Sequence, residues 1–151
     1  MKDMATRSVT MVVDRELASH NEAGFACDPI LVGDKSYVNM YLHHDGYPEY
    51  RGVELANWIN INARQDGSAL AAELVHDNYY RSCYLYSNHE NIDHNYTYII
   101  WTGKKDIWIS CWNQYSSECV FVLKPNDVIR RYESDYDYTD WEKYKQNTKQ
   151  Y

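Results

Sequence analysis

A chain of 151 residues with 44% hydrophobic content is long enough for one domain around one core. Its formal net charge of −7 argues against general nucleic-acid binding through phosphates, which needs clustered Lys and Arg, but leaves room for a basic partner, mimicry of nucleic acid or a local basic pocket. Tyrosine is the outlier, 16 residues against 2 phenylalanines, and reads either as a wet core edge or as a recognition surface of rigid amphipathic rings.

The first predicted element is a strand over Ser8–Val13, with Val9, Met11 and Val13 on one face. Residues 14–29 are polar and contain Asp28-Pro29, which predicts an irregular connection, followed by a short extended piece at 30–32 and a turn at Gly33-Asp34-Lys35. From Tyr37 to His44 a period of two returns: Val38, Met40, Leu42 and His44 alternate with Tyr37, Asn39, Tyr41 and His43. The two strands are expected to pair antiparallel, since a long excursion can still return to the neighbouring position. Asp45-Gly46 then marks a tight turn in which Gly46 is expected to supply the positive φ, and Pro48 opens a helix. Gly52, Leu55, Ala56, Ile59 and Ala63 form its apolar stripe, which puts Arg51 and Glu54 on the solvent side.

The run Tyr41-Leu42-His43-His44-Asp45-Gly46-Tyr47-Pro48-Glu49-Tyr50-Arg51-Gly52 resembles a signature of small tailed-phage proteins, an H-x-D-G-Y-P-E-x-x-G pattern that follows an Arg-Ser-containing strand and precedes a leucine-containing helix. Arg7-Ser8 and Leu55 match that pattern, and the resemblance covers about the first half of the chain. His44 stands where such relatives often carry an aromatic residue. The family has no established activity, so the resemblance implies a phage context and supplies no mechanism.

Further along, Asp66 or Ser68 is positioned to cap a second helix over 69–76. A tyrosine-rich strand is expected over 79–86, then a polar loop over 87–93. Tyr96–Trp101 and Ile107–Trp112 read as a hairpin around residues 102–106, joined by a third strand at 119–123. Within it Ile107, Ile109 and Cys111 share one face, with Trp108 and Trp112 on the other. Pro125 opens a short turn or helix through Ile129, and residues 141–147 read as a final short helix or a loose tail. The expected fold is α+β: one domain over 1–151, with a mainly antiparallel sheet of about five to six strands and two helices packed on one face. Residues 132–151 read as a loosely attached acidic and aromatic tail.

Candidate chemistry is sparse. Cys27, Cys83, Cys111 and Cys119 form no C-x-x-C pair, and no apolar leader or membrane-length run is seen, so free thiols, no membrane association and the host-cell cytoplasm are the expectation. His43, His44 and Asp45, with His89, Asp93 and His94, are the residues from which a metal-dependent hydrolase would be built; yet adjacent strand histidines point to opposite faces, and a turn held by Asp45 with a histidine hydrogen-bonded to the helix end or a loop is the favoured account of the corner. No nucleophile elbow, P-loop or dinucleotide fingerprint is present, no cofactor is called for, and the chain reads more easily as a binding protein than as an enzyme. Two binding readings follow. In the first, a host protein, including a nucleic-acid-binding one, docks on the strip Tyr132–Glu142, where five carboxylates interleave with four aromatics, Asp135, Tyr136, Asp137, Tyr138, Asp140 and Trp141 leading; a solvated tail is the plain alternative. In the second, a nucleotide stacks on Tyr41, Tyr47, Trp108 or Trp112 near His43, its phosphate meeting Arg51 or Arg81. Self-association stays open. The favoured reading is a phage accessory protein that binds and inhibits a host defence or regulatory component.

Overall fold

The computed structural model describes residues 5–15, 27–32, 35–62, 66–88, 90, 92–103 and 106–133. Six strands form one sheet: β1 (Ser8–Val13), β2 (Asn39–Leu42), β3 (Tyr84–Leu85), β4 (Tyr96–Thr102), β5 (Ile107–Asn113) and β6 (Glu118–Leu123), in the order β3-β2-β1-β4-β5-β6. The first two strands pair antiparallel, Ser8 facing Leu42 and Met11 facing Asn39, as the sequence led one to expect. The meander β4-β5-β6 is likewise antiparallel, with a register shift between Cys111 and Trp112. Between the two halves lies a pairing no local pattern announces: β1 runs parallel to β4, from Ser8 opposite Tyr96 to Val13 opposite Trp101.

Helices α1 (Val53–Asn62), α2 (Gly67–Asn78) and α3 (Pro125–Arg131) cover one face. Their contacts follow from the apolar stripe: Leu55, Ala56 and Ile59 of α1, Leu70 and Leu74 of α2 and Val128 of α3 pack on Met40, Tyr98, Ile100, Ile109 and Phe121. Asp66 is the cap of α2, its side chain accepting from Ser68 N at 3.0 Å. A smaller cluster of Val9, Met11, Val13, Val32, Ile99 and Trp101 fills the opposite, outer face. Central strands β1 and β4 are thus buried on both sides, so nearly every residue in them is apolar or small. Among the described residues no helix is long and apolar enough to cross a membrane.

Five local expectations change. The extended piece expected at 30–32 is a 3-10 turn, Pro29–Leu31, continued by Val32 in the right-handed helical region. The tyrosine-rich strand over 79–86 is instead a 3-10 turn (Tyr79–Arg81), ended by Ser82 at φ 55°, and only two residues of strand. At the corner, Asp45 carries the positive φ, 59°, and not Gly46. Gly46 is required for a different reason: a Cβ there would lie 2.8 Å from the Thr6 carbonyl oxygen, to which Gly46 N donates at 2.9 Å, and Tyr98 Oη donates to Gly46 O at 2.6 Å. Arg51 and Glu54 do not face solvent, because the chain enters α1 through a π-helical turn, Pro48–Gly52, that rotates Arg51 inward to 1% exposure. Finally, Cys27 and Cys119 are disulfide-bonded, with Cα atoms 5.7 Å apart across 92 positions of sequence, leaving Cys83 and Cys111 as the free thiols. Sequence spacing tests only neighbours, and this pair is made by the fold.

Candidate functional site

The sheet ends at β3, and the outer face beside that edge carries the most distinctive surface among the described residues. Strand alternation places Tyr41 on the outer face, next to Val9 of β1, and Tyr84 sits opposite Tyr41 across the β2–β3 pairing. The three rings of Tyr41, Tyr84 and Tyr86 pack together, with centroids 6.1 Å from Tyr41 to Tyr84 and 6.0 Å, edge to face, from Tyr41 to Tyr86. Tyr84 and Tyr86 remain 56% and 45% exposed. Arg7, just ahead of β1, and Asp93, from the loop before β4, close the far side, paired at 2.7 Å. Together with His43 and Ile92 these residues line an open cleft of about 440 Å³, a volume suited to a small ligand or to a side chain of a partner.

Its polar groups are only partly committed. Arg7 Nη1 donates to Asp93 Oδ2, whereas Arg7 Nε is buried and without a hydrogen bond. Burial pushes the Tyr41 hydroxyl up, and nearby Asp93, Tyr84 and Tyr86 add to this against the opposing charge of Arg7. The Tyr41 hydroxyl and His43 Nδ1 share a hydrogen bond of 2.7 Å. The cleft therefore offers ring faces for stacking, one guanidinium and one carboxylate.

The residues singled out from sequence scatter. Tyr41 and His43 meet in this cleft with Asp93, which the sequence had grouped with His43 as a metal ligand, and with Arg7, Tyr84 and Tyr86, which sequence reasoning had not placed there. Arg51 and Arg81 lie behind the sheet. Arg51 donates to Thr10 Oγ1 at 3.0 Å, to Glu54 Oε1 at 2.5 Å and to Asn78 Oδ1 at 3.4 Å, and Arg81 also donates to Glu54. Burial pushes the Glu54 carboxyl up, but the charges and hydrogen bonds of Arg81 and Arg51 outweigh it and hold it below the usual carboxylate range. These guanidiniums are internal ties and do not reach a phosphate in the Tyr41 cleft. Tyr47 is half-buried ahead of the π-helical turn, its ring 6.3 Å from Tyr50. Trp108 and Trp112 are on the outer face as expected, but Trp108 lies under Lys124 Nζ at 5.4 Å and Trp112 lines a separate cleft.

Among the described residues the donor atoms of the proposed metal corner do not come together. β2 ends at Leu42, so His43 and His44 leave strand geometry and their rings meet edge to face at 4.7 Å. His94 is buried between the Ile92 carbonyl, at 2.8 Å, and Thr97 Oγ1, at 2.6 Å, the hydrogen-bonded role allowed for one histidine. His89 falls outside the described residues. Among the described residues, the group with donor atoms close enough for an ion is Glu73, His76 and Asp77 on α2. Its signal was the E-x-x-H-D run, and it reads as helix surface: His76 is 62% exposed and Asp77 Oδ2 accepts from Trp58 Nε1 at 2.7 Å. Of the acidic strip only Tyr132 and Glu133 are described; Asp135, Tyr136, Asp137, Tyr138, Asp140 and Trp141 lie outside. The chain matches no protein-family model, no curated protein and no solved structure.

Proposed function

We propose that this is a phage accessory protein that acts by binding, with a host defence or regulatory protein as its partner and the tyrosine-lined edge as the recognition surface. One observation carries the reading. Tyr84 and Tyr86, 56% and 45% exposed, line the outer cleft at the end of the sheet, and Tyr79, Tyr80 and Leu85 close by in sequence are 39–61% exposed as well. Isolated exposed apolar residues are ordinary; a run of them beside a cleft is the composition of a protein-binding patch, because Tyr contributes area at low entropic cost. The phage context is supported by the dodecapeptide over 41–52, and the host cytoplasm is the location it implies. The test is affinity capture from host lysate with the parent and with Tyr84→Ser/Tyr86→Ser. A partner held by the parent and lost by the double variant, at unchanged melting temperature, supports the edge. Identical capture by both chains overturns it.

A second reading, sequestration of a nucleotide, is favoured by the partly exposed guanidinium of Arg7 beside three ring faces. Stacking supplies roughly 1–3 kcal/mol per base, and Arg7 takes the phosphate role first given to Arg51 or Arg81. Heating the purified protein and analysing the supernatant by mass spectrometry decides it, backed by thermal shift with a nucleotide panel. Neither a released nucleotide nor a shift would leave this reading without support.

A further inference from the structure

Two distant parts of the chain meet at Cys27 and Cys119, and both continue directly into a second cleft. Cys27 is fully buried and immediately precedes Asp28 and the turn Pro29–Leu31. Cys119 is exposed and faces Trp112 across the β5–β6 pairing, where the register shifts. A cleft of about 600 Å³ lies alongside, with Asp28, Pro29 and Ile30 as one wall and Trp112, Gln114 and Ser117 as the facing one. The bond therefore stands where the two walls join. Ile30, at the tip of the first wall, is 76% exposed, and the segment is held at its two ends, by Cys27 and by Val32 in the outer cluster.

We propose that Cys27–Cys119 is a reversible redox clasp: the disulfide assembles the Trp112 cleft, and reduction by a cellular dithiol releases the Asp28–Ile30 wall. This inference is independent of the tyrosine edge. The exchange balances as two steps. A reductant thiolate attacks the sulfur of Cys119, the partner nearer the surface, forming a mixed disulfide and expelling Cys27 as thiolate. The reductant's second thiol then resolves the mixed disulfide, leaving two protein thiols and an oxidised dithiol; the reverse passes two electrons to a small-molecule disulfide. The reduced state is not strained by an orphaned group. Cys27 Sγ lies 3.1 Å from the Cys111 carbonyl oxygen and 3.7 Å from that of Phe121, so the released thiol has acceptors in place. Cys111 stays out of the exchange, its thiol fully buried and pushed well up by that burial.

The experiment equilibrates the full chain in buffers of reduced or oxidised dithiothreitol, then alkylates it and maps peptides by mass spectrometry. Amide exchange is followed in parallel. In the oxidised buffer a Cys27–Cys119 linked peptide is expected. Exchange at residues 27–32 should be at least about tenfold slower than in the reduced protein, with β1 and β4 unchanged. Cys119→Ser should match the reduced parent in both buffers; if it does not fold, the parent in the two buffers still decides. Alkylation of both cysteines in the oxidised, folded protein overturns the clasp. Equal exchange at 27–32 in the two states overturns its control of the cleft.

Discussion

The Arg51–Glu54 pair on the helix side of the sheet and the Arg7–Asp93 pair on the outer side sit in different environments. On the helix side Arg51 and Glu54 are 1% and 16% exposed, and Glu54 is shared with Arg81. On the outer side Arg7 and Asp93 are 31% and 74% exposed. A pair in water contributes little, because screening and side-chain entropy offset the attraction. A buried pair adds little net stability when intact, yet breaking it strands a charge in a poorly solvated place. The difference separates architecture from function. Arg51 fastens α1 to β1 through Thr10 and to the end of α2 through Asn78, whereas Arg7 keeps part of its side chain exposed in the lining of a cleft.

The sharpest way to break the comparison is to truncate both arginines. Arg51→Ala is expected to destabilise by about 3–5 kcal/mol, since Glu54 loses a buried partner and a cavity opens. Arg7→Ala should cost less than about 1 kcal/mol. Chemical denaturation measures both, and equal losses would erase the distinction between the faces. Next in size is Gly46→Val, expected to cost about 1–3 kcal/mol by overpacking. Its side chain would press on the Thr6 and Arg7 backbone that leads into the outer cleft, with contacts of 2.8 and 3.0 Å. An unchanged melting temperature would mean that the corner yields without strain.

Glu54 gives the comparison a pH dependence. Its folded pKa lies below its ordinary value of 4.5, so it contributes stability above that pH and loses it as pH falls through the folded value. The stability gap between the parent and Glu54→Gln should therefore be full near neutrality and narrow below about pH 4.5. A gap constant from pH 7 to pH 3 would show that the carboxylate charge is not what the guanidiniums hold.

Much of the frame was legible because it is local. The period of two in Val38–Leu42 and the three-and-four spacing from Leu55 to Ile59 gave a strand and a helix where the structure has them. The same periodicity misplaced Arg51, because the π-helical turn inserts an extra residue per turn and shifts the phase read back from α1. Gly46 was marked as essential, but for a dihedral that Asp45 in fact adopts. The cleft was half legible. Tyr41 and His43 share a strand face and its continuation, while Tyr84, Tyr86 and Arg7 reach them only through pairings of β3 to β2 and β2 to β1. The parallel β1–β4 contact and the Cys27–Cys119 bond are long-range in the same sense, and no window of sequence contains them.

The smallest effect on stability is expected from the acidic strip, and it decides how much of recognition belongs to the outer face. Replacing Asp135, Asp137 and Asp140 together by Asn keeps size and removes three charges from a chain of net charge −7. Stability should move by less than about 0.5 kcal/mol, the range for surface changes away from core and network. Association with a basic partner should slow, and its salt dependence should shrink, because long-range attraction over a Debye length is what these charges add. Stopped-flow binding at several ionic strengths, with a partner identified through the tyrosine edge, separates two arrangements. A slower rate with an unchanged dissociation rate assigns steering to the strip and anchoring to Tyr84 and Tyr86. The same rate and the same salt slope as the parent would leave the strip as solvated chain, and the edge of the outer face would then carry recognition alone.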